Sequence, residues 1–161
     1  MIFIGIDNGA TGSVTILSEQ GSVIQCVPIP TKKELNYTKK KAFFTRIDHP
    51  KLVSLLNIPA DEGVKCLIER PLVNPSRWIA TASALRAWES TLLAFEATAT
   101  PYGVLDSKEW QKAMLPSGLK GPELKIAAFE VAKRIFPSHA KKENADSMLI
   151  AEYLRRRETR G

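Results

Sequence analysis

The sequence predicts an α/β layered domain built on a mixed β-sheet of about five strands, flanked by α-helices. Three features point there. Short β-rich runs follow one another at the start of the chain, the middle alternates strand with helix, and the last third is helical. Consecutive strands imply antiparallel pairing, and a strand–helix–strand crossover implies parallel pairing, so the sheet should be mixed.

Ile2 to Asp7, Ser13 to Leu17 and Ser22 to Pro28 are β-rich, divided by Asn8-Gly9, Gly12 and Glu19-Gln20-Gly21. Thr31 to Lys41 is polar and lysine-rich, which predicts a loop or an edge excursion. Lys32, Lys33, Lys39, Lys40 and Lys41 lie there, with Tyr37, Phe43 and Phe44 nearby. A solvated loop and a DNA-contacting loop suit that composition equally. His49 to Leu56 fits a short helix, and Val64 to Glu69 the next strand. From Ser76 to about Ala97 the pattern is helical, with Ile79, Ala82, Leu85, Leu92, Leu93 and Phe95 spaced to line packed faces.

Pro101 to Leu105 reads as a further strand. Asp106 or Ser107 can cap a short helix carrying Trp110, Ala113 and Met114. Pro122 suits a helix start, and Leu124, Ala127, Ala128, Val131 and Ile135 recur at helical spacing until Pro137 stops them. The final helix is expected from about Glu143 to Arg157. It is apolar from Met148 to Leu154 except at Glu152 and should be nearly buried, with its Arg155-Arg156-Arg157 end solvated.

A chain of 161 residues suits a single domain over residues 1–161. At 44% hydrophobic and 25% charged it reads as soluble and globular. The net charge of +6 favours a polyanionic partner such as DNA. Cys26 and Cys66 fall in predicted strands and read as small buried hydrophobes, with no spacing that suggests zinc. No signal peptide or membrane-length apolar run is evident, so a reducing cytoplasm is the expected location.

Four carboxylates stand out against this background. Asp7 and Glu69 each end an apolar strand, where an acid is costly unless a cation compensates it. Alternation puts Asp7 on the side of Phe3 and Gly5, and Glu69 on the side of Leu67. If those strands are neighbours, the two acids meet at one end of the sheet. Glu143 and Asp146, at i and i+3 of a helix, would share a face with roughly 5–6 Å between β-carbons. Converging carboxylates of this kind suit magnesium, and four could hold two ions roughly 4 Å apart for phosphoryl chemistry. Each acid also has a plainer role. Asp7 can shape a turn, Glu69 can pair with Arg70, and Glu143 can favour a helix start.

The order Ile-Gly-Ile-Asp7, Leu-Ile-Glu69 and Glu143-x-x-Asp146-Ser-Met-Leu-Ile-Ala resembles RuvC-type Holliday-junction resolvases of the RNase H-like superfamily, most closely their phage variants. Trp110-Gln-Lys112, Lys125 and Lys-Arg-Ile-Phe-Pro137 extend the resemblance over nearly the whole chain. It implies an RNase H-like fold and a dimeric, magnesium-dependent nuclease, with manganese able to substitute, that nicks four-way DNA junctions. Asp7, Glu69, Glu143 and Asp146 would be the metal ligands. Lys112 and Lys125 fall where the family places basic residues near the scissile phosphate; an ordinary solvated helix face is their other reading.

Two departures from the family pattern matter. Its third carboxylate is more often Asp than Glu143. Near Glu69, Arg70-Pro71-Leu72 stands where cellular members carry a base-stacking aromatic, which leaves Trp78 either as a substitute or as a core side chain. Rival readings are an RNase H-type nuclease acting on RNA–DNA hybrids and an actin-like or sugar-kinase-like phosphotransferase. The latter draws on the hairpin Ile6-Asp7-Asn-Gly9-Ala-Thr11-Gly12-Ser13 and is disfavoured by a length that fits one lobe.

Overall fold

The computed structural model describes residues 1–36 and 39–159; Tyr37 of the lysine-rich stretch lies outside them. In chain order the strands are β1 (Ile2–Asp7), β2 (Ser13–Ser18), β3 (Val23–Pro28), β4 (Thr31–Leu35), β5 (Phe43–Ile47), β6 (Val64–Glu69) and β7 (Tyr102–Leu105). The helices are α1 (His49–Leu56), α2 (Trp78–Thr98), α3 (Ser107–Met114), α4 (Pro122–Ile135) and α5 (Ala145–Thr159). Five strands form one mixed sheet in the order β3-β2-β1-β6-β7. The β1–β2–β3 meander is antiparallel, while β6 and β7 join parallel to β1 through helical crossovers.

Alternation along β1 divides the core. Phe3 packs with Leu67, Trp110, Met148 and Leu149 on the side of α3, α4 and α5. Ile2, Ile4 and Ile6 pack with Ile68, Leu52 and Phe95 on the side of α1 and α2. A strand covered on both faces needs apolar residues at successive positions, which is how β1 and β6 read. Gly5 permits the closest approach: a β-carbon there would collide with the backbone of Ser147 and Ala151, so α5 lies directly on β1.

The structure corrects several expectations. Thr31–Leu35 is a strand, paired with Phe43–Ile47 in a separate two-stranded sheet. The hairpin is stabilised by a 2.6 Å ion pair from Arg46 to Glu34 and by the Phe44 ring, 4.4 Å from the Arg86 guanidinium. The final helix begins at Ala145 instead of Glu143. Asn144 Oδ1 accepts from Lys141 N at 2.8 Å and its Nδ2 donates to the His139 carbonyl at 3.1 Å, holding residues 141–144 in a turn. Glu143 and Asp146 therefore do not share a helical face.

On α2, Ile79, Leu85 and Leu93 are exposed, and Trp78 at 68% exposure is not a core side chain. The buried face of that helix is made by Thr81, Ala87, Thr91, Ala94 and Phe95. Glu152 is buried within α5 and accepts from Arg155 and Arg156. No helix among the described residues is long and apolar enough to cross a membrane.

Candidate active site

β1 and β6 are parallel neighbours with Ile6 opposite Ile68, so Asp7 and Glu69 emerge together at one end of the sheet. The helix α5 supplies the third acid. Ser147, the residue after Asp146, is wholly buried and forms hydrogen bonds with Ser13 Oγ at 2.7 Å and Thr15 Oγ1 at 2.8 Å. Ser147 Oγ donates to the Asn144 carbonyl at 3.1 Å. This hydroxyl cluster fastens the first turn of α5 to β2, and Gly5 sets its height over β1. Together they bring Asp146 over the strand ends.

These acids sense one another's charge. The Asp7 carboxyl is raised from 3.8 to about 7, first by burial, then by the charges of Asp146 and Glu69, with Lys125 pulling the other way. Glu69 is raised as well, chiefly by burial and then by Asp146. The indole of Trp110 opposes that shift, with Nε1 donating to Glu69 Oε2 at 2.6 Å. Lys125 on α4 forms an ion pair with Asp146. Burial works against its charge, yet the bond and charge of Asp146, with Asp7 and Glu69 behind, raise its pKa.

The six residues singled out from the sequence thus divide. Asp7, Glu69, Asp146 and Lys125 form one electrostatic cluster. Glu143 is exposed in the turn before α5 and lines a cleft of about 200 Å³ with Thr11, Gly12, Ser13 and Lys141. Its backbone carbonyl accepts from Ser13 Oγ at 3.5 Å, which keeps it beside the cluster without adding its charge to those acting on Asp7. Lys112 is exposed on α3 and lines a separate cleft of about 460 Å³ with Lys108 and Lys120. Arg70 pairs with Asp106.

Trp110 and Ser147 are the supporting residues that the sequence reading did not assign to the site. A buried indole N–H needs an acceptor, which was the available signal for Trp110. For Ser147 the signal was a hydroxyl in an otherwise apolar helical run. Cys66 is buried and its thiol pushed up by burial; Cys26 is half-buried, 3.2 Å from Thr15 Oγ1, and both are free thiols.

No protein-family model and no curated protein sequence matches the chain. Solved structures do. T. thermophilus RuvC in complex with Holliday junction substrate superposes with a TM-score of 0.66 at 11% identity, covering 99% of this chain and 96% of that one. A second Thermus thermophilus RuvC structure gives a TM-score of 0.59 at 14% identity, with the same coverages of 99% and 96%. The fold is thus that of RuvC, an RNase H-like mixed sheet of five strands flanked by helices.

Proposed function

We propose that the chain is a divalent-metal-dependent endodeoxyribonuclease that nicks four-way DNA junctions and other branched DNA as a homodimer. One observation carries the reading. Asp7 and Glu69 emerge side by side from parallel strands, Asp146 acts on both, and the one lysine among them, Lys125, is paired with Asp146. Among the described residues, no three His, Cys, Asp or Glu side chains are placed to hold a metal as they stand. Their chemistry nevertheless fits one: the donors are hard carboxylate oxygens, and a cation would relieve the repulsion between them. Asp7, Glu69 and Asp146 would hold it, with Glu143 reaching in from the neighbouring turn.

Bound magnesium or manganese supplies water activation and charge stabilisation at the phosphate. The protein's own groups do the positioning. Trp110 fixes the Glu69 carboxylate, and the Ser13–Ser147–Thr15 cluster fixes the helix that carries Asp146. Lys125 brings an ammonium beside the acids that can donate to a phosphoryl oxygen as charge develops there. In hydrolysis a water oxygen bonds to phosphorus, the bond to the 3′ oxygen breaks, and a proton goes to that leaving oxygen. The cleft of Lys108, Lys112 and Lys120 offers further charge to the DNA backbone.

The resemblance in sequence order and the fold shared with RuvC support a junction as substrate, and a two-fold dimer would set paired sites against paired strands. The test is a panel of labelled four-way junction, fork, flap, RNA–DNA hybrid and linear duplex, with magnesium and with chelator. Paired symmetric nicks in the junction, absent with chelator, are expected. Preferential cutting of the hybrid strand would transfer the reading to an RNase H-type activity. No metal-dependent cutting of any substrate would refute it.

A further inference from the structure

The β4–β5 hairpin takes no part in the sheet that carries the acids, and nothing in the catalytic reading uses it. Its root is nonetheless close to them. β3 ends with Pro28 opposite Ser13, the residue that also pairs with Asp7, and Ile29 N donates to the Gly12 carbonyl at 3.0 Å. The hairpin therefore leaves the sheet at the end where Asp7 lies. It then packs toward α2, and a cavity of about 550 Å³ between them reaches Ala10 in the β1–β2 turn.

Pairing in the hairpin sorts its side chains into two faces. Lys32, Glu34, Phe44 and Arg46 share the inner face, where Arg46 pairs with Glu34 and Phe44 lies against Arg86. The other face carries the root pair Thr31–Ile47, with Ile47 buried in the core, and beyond it Lys33, Leu35, Phe43 and Thr45, all exposed, with Leu35 directly opposite Phe43. Phe43 is 67% exposed and Leu35 47%, so the two form an exposed apolar pair. Lys39, Lys40 and Lys41 follow in the turn, all exposed. That turn is closed by Asn36 N donating to the Ala42 carbonyl at 2.7 Å and Ala42 N donating to Asn36 Oδ1 at 3.0 Å.

We infer that the hairpin is a second DNA-binding element, which grips an arm of the nucleic acid leading away from the cleavage pocket. Lys33, Lys39, Lys40 and Lys41 meet the phosphate backbone, and the Leu35–Phe43 pair rests against sugars and base edges in the minor groove. Charge selects the occupant: four exposed lysines around an apolar pair match a polyanion with apolar groove walls. Reach is consistent too. Two five-residue strands extend roughly 16 Å, enough to follow several phosphates at about 1.7 Å of duplex axis per charge. This inference rests on DNA being the substrate, though not on the catalytic chemistry.

The test measures affinity for a labelled four-way junction in chelator, where cutting cannot interfere, across a range of salt concentrations. Lys39→Ala/Lys40→Ala is compared with Lys133→Ala/Arg134→Ala, which removes two exposed charges from α4 on the opposite face of the sheet. The hairpin pair should flatten the slope of log affinity against log salt by about 1.8, at roughly 0.9 per phosphate contact. The α4 pair should flatten it by less. Phe43→Ala should weaken binding about fivefold with the slope unchanged, because the contact it removes is apolar. Equal slopes for the two pairs, or full affinity in Phe43→Ala, would overturn the inference. Loss of nicking activity by the wild-type protein would count against the nuclease reading alone; the slopes judge the hairpin separately.

Discussion

Trp110 Nε1 donates to Glu69 Oε2 at 2.6 Å, so a side chain sealed in the core fixes the orientation of a carboxylate at the mouth of the site. The bond also opposes the upward shift that burial imposes on Glu69. Trp110→Phe keeps most of the volume and removes the donor. It should cost about 1–2 kcal/mol in chemical denaturation and slow junction nicking on the order of tenfold, with junction affinity retained. Nicking at the wild-type rate would show that Glu69 needs no such support.

Lys125 pairs with Asp146, and under the proposed function it is the group that meets developing charge on a phosphate. Lys125→Met should reduce the nicking rate on the order of a hundredfold, as loss of one donor to a developing oxyanion does. Because most of its side chain is exposed, the loss of stability should stay below about 1 kcal/mol. Single-turnover kinetics together with a denaturant melt separate the two effects.

Asp7 gives the metal-free protein a characteristic pH dependence. Its carboxyl titrates near 3.8 when unfolded and at about 7 when folded. The folded state thus holds that proton more tightly, and the resulting stabilisation is complete below about pH 3.8 and is lost as pH rises toward 7. In chelator, wild-type stability relative to Asp7→Asn should fall across that interval and level off above it. Parallel profiles for the two proteins would contradict the burial and crowding assigned to Asp7.

Glu152 behaves in the opposite sense. Burial works to raise its carboxyl, and the hydrogen bonds from Arg155 and Arg156 overcome that, so the net shift is downward from 4.5. Its contribution to stability is present above about pH 4.5 and is lost as pH falls through the lower folded value. Glu152→Ala removes the carboxylate that both guanidinium groups share, leaving Arg155 only the Glu19 carbonyl. Both reach solvent, so the cost should be about 1–3 kcal/mol, below that of breaking a fully buried pair. Thermal melts at pH 7 and pH 4 should show the penalty shrinking with acid.

Much of this arrangement could be read from the chain. β1 and β6 declare themselves by apolar runs that each end in an acid, and alternation puts Asp7 with Phe3 and Gly5, and Glu69 with Leu67, on the face that α5 covers. What the sequence could not supply was long-range pairing. The hairpin escaped because Thr31–Leu35 is too polar to look like a strand alone, and it pairs only with Phe43–Ile47. The i, i+3 spacing of Glu143 and Asp146 suits a helix, but the competing side-chain bonds of Asn144 set its start later. The exposure of Trp78 and Ile79 was hidden as well, since helical periodicity marks a face without saying what covers it.

The central claim is that Asp7, Glu69 and Asp146 act together on phosphodiester bonds through a bound divalent cation. The most direct measurement follows Asp7→Asn on a labelled four-way junction in magnesium, recording nicked product and bound fraction in the same reactions. No detectable nicking is expected, with the junction still bound. Nicking at the wild-type rate by Asp7→Asn would contradict it.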